Sequence, residues 1–133
     1  MNILKVQGGK ELEGRVKISG AKNSAVALIP ASLLADDLVT IDNVPNISDI
    51  DALDEILKYL GATVTRDGNL MKIDPSTITN KEIPENVSTK LRASYYFMAA
   101  LLGKYKNVEM YFPGGCNIGA RPIDQTLKAF RAL

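Results

Sequence analysis

Two charge-free apolar stretches, Ala25–Ala35 and Ala93–Leu102, constrain the fold more than any other feature of the chain. They are eleven and ten residues long, whereas a helix crossing a bilayer needs about 20. They therefore read as helices enclosed on nearly all sides by protein. They are also related to each other. Ala31-Ser32-Leu33-Leu34 matches Ala99-Ala100-Leu101-Leu102, Pro45 matches Pro113 and Lys22 matches Lys90, each pair 68 positions apart. Beyond the prolines, Asp51 matches Asp124 and Leu60 matches Leu133 at 73 positions, so the second copy carries five additional residues. That insertion is the Gly-rich run Gly114-Gly115-Cys116-Asn117-Ile118-Gly119-Ala120-Arg121, which contains the chain's one cysteine. Apolar runs align easily by chance, and that is the competing account. A scaffold repeated with one altered loop instead predicts a site built into the altered copy.

The remaining pattern is one of alternating strands and helices. Ile3–Gln7 and Arg15–Ser19 alternate apolar and polar residues between Gly-containing turns and read as strands. A helix is predicted from Lys22 toward Ala35, with a kink or boundary at Pro30, whose ring removes one backbone hydrogen bond. Leu38–Ile41 reads as a short strand. Ser48-Asp49-Ile50-Asp51 resembles a capping box, and Ile50, Leu53, Ile56, Leu57 and Leu60 form one apolar stripe ending at Gly61. On that helix Asp51, Asp54, Glu55 and Lys58 are expected to face solvent. Thr63–Arg66 and Leu70–Ile73 form a hairpin through Asp67-Gly68-Asn69. The first copy thus reads β-α-β-α-β-β. The second stops at Leu133, before its hairpin, so the chain is expected to be a piece of something longer.

Composition removes several classes of chemistry. The 133 residues contain no His and one Cys, so neither Ser-His-Asp nor Cys-His catalysis can be assembled within them, nor a zinc site of His and Cys. Sixteen basic against fifteen acidic residues give a net charge of +1, without the basic excess that drives binding to nucleic acid or anionic membrane. The first fifteen residues lack a continuous apolar core, so no signal peptide is read, and a soluble cytoplasmic protein is expected.

The candidate chemistry lies in the inserted loop and at two helix starts. Glycines on either side of Cys116 allow a hinged segment, and Arg121 followed by Pro122 at the first turn of a helix favours a bound phosphate or carboxylate beside the thiol. Nearby positive charge lowers a thiol pKa. Read alone, this is equally a loop cysteine near an arginine. Lys22, Asn23 and Arg92 lie near the starts of the two apolar helices, where cations oppose the helix dipole. Placing Lys22, Lys90 and Arg92 there costs stability unless an anion sits between them. The plainer alternatives are a solvated Lys22 and an Arg92 paired with Glu85 or another carboxylate.

Three segments carry a family resemblance: Ile18-Ser19-Gly20-Ala21-Lys22-Asn23-Ser24, Leu91-Arg92-Ala93-Ser94, and the run from Phe112 through Pro-Gly-Gly-Cys and Ile-Gly-Ala-Arg-Pro to Asp124. From Val6 to Leu133 the chain resembles the enolpyruvyl transferases, and among them the UDP-N-acetylglucosamine 1-carboxyvinyltransferases of peptidoglycan synthesis. The resemblance implies transfer of the enolpyruvyl group of phosphoenolpyruvate to the 3-hydroxyl of UDP-N-acetylglucosamine, with release of phosphate and no metal or other cofactor. It makes Cys116 the catalytic acid and the target of fosfomycin. It puts Lys22 and Arg121 on the phosphoenolpyruvate side, and Asn23, Arg92, Arg121, Pro122, Ile123, Asp124 and Gln125 on the nucleotide-sugar side.

The implied fold is α/β, built of repeated βαβαββ units in an inside-out α/β barrel, with one complete unit and a partial second in this chain. Residues 1–20 are then a strand segment belonging to the family's other domain, and residues 21–133 are part of the first domain, carrying the Cys loop. The rest of the parent chain is needed to complete the site, and the piece alone is expected to be inactive. A transferase of the 5-enolpyruvylshikimate-3-phosphate synthase kind, which is not expected to carry the Cys loop, and a noncatalytic fragment are the alternatives.

Overall fold

The computed structural model describes residues 3–114 and 122–132. Helix α1 (Lys22–Ala31) tightens into a 3-10 turn, Ser32–Leu34. Pro30 has no N–H with which to continue the α-helical ladder, and the change of helix type follows one residue later. Ser32, buried in that turn, donates its hydroxyl to the carbonyl of Ile29 at 2.6 Å. Strand β1 (Val39–Ile41) leads to α2 (Ser48–Leu60). All five residues of the α2 stripe are fully buried, and Gly61 at φ +105° ends the helix in the left-handed region that glycine tolerates.

Strands β2 (Thr63–Asp67) and β3 (Leu70–Asp74) form the expected hairpin, with Gly68-Asn69 as its two-residue turn. Strand β1 adds antiparallel to the other edge of β3, Val39 opposite Ile73, giving the order β1-β3-β2. Met71 and Ile73 point into the core from the central strand, beside the α2 stripe.

The second copy follows with α3 (Glu85–Ser88), a 3-10 turn at Arg92–Tyr95, α4 (Tyr96–Tyr105) and α5 (Asp124–Ala132). Before α3, Ile83 forms a parallel bridge with Met110, through Ile83 N to Glu109 O at 3.0 Å and Tyr111 N to Ile83 O at 3.3 Å. Helix α1 packs against both α2 and α4. Near the C-terminal end of α4, Lys104 Nζ donates at 2.9 Å to the carbonyls of Leu33 and Ala35, which follow the C-terminal end of α1. The two helices are thus tied together at their C-terminal ends.

Four expectations are corrected. Ile3–Gln7 and Arg15–Ser19 are not strands. They find no ladder among the described residues, and Ile3, Val6, Val16 and Ile18 are exposed; alternation encodes a face to be covered but not the sheet edge that accepts it. Of the described first copy, α-β-α-β-β remains. The apolar helices are not enclosed all round. One side of α1 is core, while Leu28 and Leu34 are each 53% exposed. Ser48 caps nothing: α2 begins one residue earlier, with Ile47 as its extended flanking residue and no side-chain cap. Finally, Asp51, Glu55 and Lys58 face solvent, but the Asp54 side chain is mostly covered.

Candidate functional site

The described site residues lie at helix starts: Lys22 and Asn23 at that of α1, Arg92 in the turn ahead of α4, and Asp124 and Gln125 at that of α5. The chain enters α1 through Gly20, where a Cβ would run into the backbone carbonyl of Asn43. Only glycine lets the segment approach this closely before turning into the helix. Lys22 and Asn23 then occupy the first turn of α1, both exposed. Arg92 opens the 3-10 turn that leads into α4 and is half-buried.

Lys22 at the start of α1 and Lys90, two residues ahead of the 3-10 turn, are partnered from within the chain, which corrects the expectation that only a bound anion could offset them. Lys22 Nζ forms an ion pair with Asp49 Oδ1, and Lys90 Nζ donates to both carboxylate oxygens of Glu55 at 2.6 and 2.7 Å. Both carboxylates belong to α2. One helix thus neutralises the two repeat-related lysines. The sequence reading assigned Asp49 to a cap and Glu55 to a solvated face. The signal it passed over was an acidic first turn, Asp49 with Asp51, whose charges have no basic partner at helical spacing on α2.

Beside Arg92, Tyr95 and Tyr96 stack with ring centroids 4.5 Å apart. The hydrogen bond with Tyr96 holds the Tyr95 phenol above its ordinary range, partial burial adds to the rise, and Arg92 opposes it.

The Cys loop leaves the described structure at a constructed seat. The Gly114 N–H points to the carbonyl of Ser88 at 3.5 Å, and the hydroxyl of buried Ser94 donates to that same carbonyl at 2.8 Å. A Cβ on Gly114 would collide with the backbone of Thr89. The segment before the loop therefore lies against Ser88-Thr89, immediately ahead of Lys90 and Arg92. On the far side Ile123 is buried and its carbonyl accepts the Leu127 N–H at 3.0 Å, starting α5. Pro122 is exposed, as are Asp124 and Gln125 in the first turn of α5, where Gln125 Nε2 donates to Asp124 Oδ2 at 3.0 Å. Cys116 and Arg121 lie outside the described residues. No helix among the described residues is long and apolar enough to cross a membrane.

UDP-N-acetylglucosamine 1-carboxyvinyltransferase 2 of Oceanobacillus iheyensis is 51% identical over all 133 residues, and the chain spans 31% of its length. The protein of the same name from Streptococcus mutans is also 51% identical, with 32% of its length covered. Among solved structures, the enolpyruvyl transferase NikO from Streptomyces tendae superposes with a TM-score of 0.66 at 32% identity, over 74% of this chain and 23% of that one. The fold is accordingly the α/β fold of the enolpyruvyl transferases. The family model for EPSP synthase (3-phosphoshikimate 1-carboxyvinyltransferase) matches residues 6–133, and the chain belongs to that family.

Proposed function

We propose that the chain is the first-domain portion, residues 21–133, of a UDP-N-acetylglucosamine 1-carboxyvinyltransferase, preceded by a segment, residues 1–20, that completes the other domain. The observation that carries the reading is the 50–51% identity across the whole chain to several proteins of that name. The alternative, a 5-enolpyruvylshikimate-3-phosphate synthase, does not account for the Cys loop.

In this reading the parent enzyme works in the cytoplasm, at the first committed step of peptidoglycan synthesis. Protonation of the methylene carbon of phosphoenolpyruvate makes its neighbouring carbon electrophilic, and the 3-hydroxyl of the sugar adds there. Loss of a proton and of phosphate then restores the enol double bond. Such a path needs one positioned acid and several fixed cations near a carboxylate and a phosphate. Cys116 supplies the proton; Lys22 and Arg121 hold the phosphoenolpyruvate, and Arg92 joins Asn23 and residues 121–125 on the nucleotide-sugar side. A thiol donates the proton whereas a thiolate is alkylated by fosfomycin, so a pKa near the working pH serves both behaviours. The α2 carboxylates that hold both Lys22 and Lys90, together with the Gly114 seat on Ser88-Thr89 ahead of Arg92, support this grouping.

The test is phosphate release by the complete enzyme with Cys116→Ala and Cys116→Asp, with and without fosfomycin. Cys116→Ala is expected to lose about a hundredfold or more in rate, the usual range for a general acid. Cys116→Asp is expected to keep proton donation and become insensitive to the drug. An alanine variant as fast and as drug-sensitive as the parent would overturn the assignment.

A further inference from the structure

We infer that Asp49 is a positioning residue that presents Lys22 to the phosphoenolpyruvate-side anion, an inference resting on the reading of Lys22 given above. Lys22 sits on the first turn of α1 with its side chain 53% exposed, and a lysine left to itself there samples many rotamers. Asp49 is different. It is fixed in the first turn of α2, a helix whose apolar stripe is fully buried, and its own side chain is only 21% exposed. The dipole at the start of α2 favours the carboxylate there. The paired Asp49 oxygen takes one direction around the ammonium, while a lysine carries three donors, so two N–H directions stay open for an incoming anion.

Two effects of Asp49 oppose each other. Ordering the lysine helps the anion bind, whereas the carboxylate charge repels it. Lys22 is largely solvated, and at such sites charge–charge effects are strongly attenuated by water. The ordering effect is therefore the larger, and the residue's value lies in its oxygen acceptor more than in its charge. That separates the consequences of two substitutions. Asp49→Ala removes both acceptor and charge, whereas Asp49→Asn keeps an oxygen acceptor and loses only the charge.

The experiment uses the complete enzyme and measures KM for each substrate separately, together with the rate of inactivation by fosfomycin. Asp49→Ala is expected to raise KM for phosphoenolpyruvate and slow inactivation, each by about fivefold, the upper scale of an ion pair with a solvated partner. KM for the nucleotide sugar is expected to stay within about twofold, and Asp49→Asn to recover most of the loss. Asp51→Ala is the matched control. It removes a carboxylate from the same helical turn, one paired with Arg66 on β2 rather than with Lys22, so it is expected to leave both KM values unchanged. An Asp49→Ala enzyme with an unchanged or lower KM for phosphoenolpyruvate would overturn the inference, as would equal changes in the two KM values. Lys22→Ala keeps the two readings apart: if that variant leaves KM for phosphoenolpyruvate unchanged, the placement of Lys22 itself is wrong.

Discussion

Gly114 sets the start of the Cys loop by the absence of a side chain. Its backbone lies so close to Thr89 that any Cβ would overlap main-chain atoms, which cannot swing aside as a flexible side chain would. Gly114→Ala must therefore shift either the loop or the Ser88–Arg92 segment, and overpacking of this kind costs about 1–3 kcal/mol. Because the displaced segment leads directly into Arg92, the variant is expected to lower the denaturation midpoint and to raise KM for the nucleotide sugar in the complete enzyme. Urea titration and steady-state kinetics check the two effects. A midpoint and a KM both equal to those of the parent would show that the seat has slack. The same residue also marks a limit of sequence reading. That a glycine-rich loop surrounds Cys116 is visible in the residue order; that Gly114 rests on Thr89, 25 positions earlier in the chain, is a tertiary approach that no local pattern encodes.

At the scale of elements, α2 and the hairpin were legible because their signals are local and mutually consistent. A five-residue apolar stripe stops at Gly61, and a Gly-Asn pair separates two alternating runs. The N-terminal runs have equally good alternation and do not pair, since a strand's existence depends on an edge supplied from elsewhere. The ion pairs Lys22–Asp49, within the first copy, and Lys90–Glu55, between the copies, were not legible either, being separated by 27 and 35 positions. Between α1 and α4 the joint is again a lysine. Lys104 binds two carbonyls following the end of α1, groups that otherwise lack partners at a helix C-terminus. Its side chain is 23% exposed, so the ammonium is partly desolvated and its loss leaves those carbonyls poorly hydrated. Lys104→Met keeps most of the aliphatic stem and is expected to destabilise the chain by about 2 kcal/mol, within the range for hydrogen bonds to a charged group. Thermal unfolding of the two proteins side by side measures this, and an unchanged midpoint would mean that water replaces the ammonium without loss.

For the whole molecule, the decisive quantity is how much apolar surface the chain leaves open. Leu28 and Leu34 of the α1 segment are half exposed although the opposite side of the same helix is core, and Tyr96 is open on α4. The chain spans about a third of the curated relatives it matches, and the inside-out barrel proposed for the parent turns such helices inward. The same leucines should then act with opposite sign in two settings. In the 133-residue chain they are wet, so replacing both with serine removes exposed apolar surface, reducing self-association at little thermodynamic cost. In the complete enzyme they would be enclosed, and each replacement would forfeit burial worth about 1.5–3 kcal/mol and strand a hydroxyl in apolar surroundings. The Leu28→Ser, Leu34→Ser pair is therefore expected to make the short chain more monodisperse by sedimentation while lowering the melting temperature of the complete enzyme by several degrees. A double variant that leaves the complete enzyme as stable as its parent would mean that this side of α1 stays in solvent there too, and that the inward-facing arrangement does not extend to this helix.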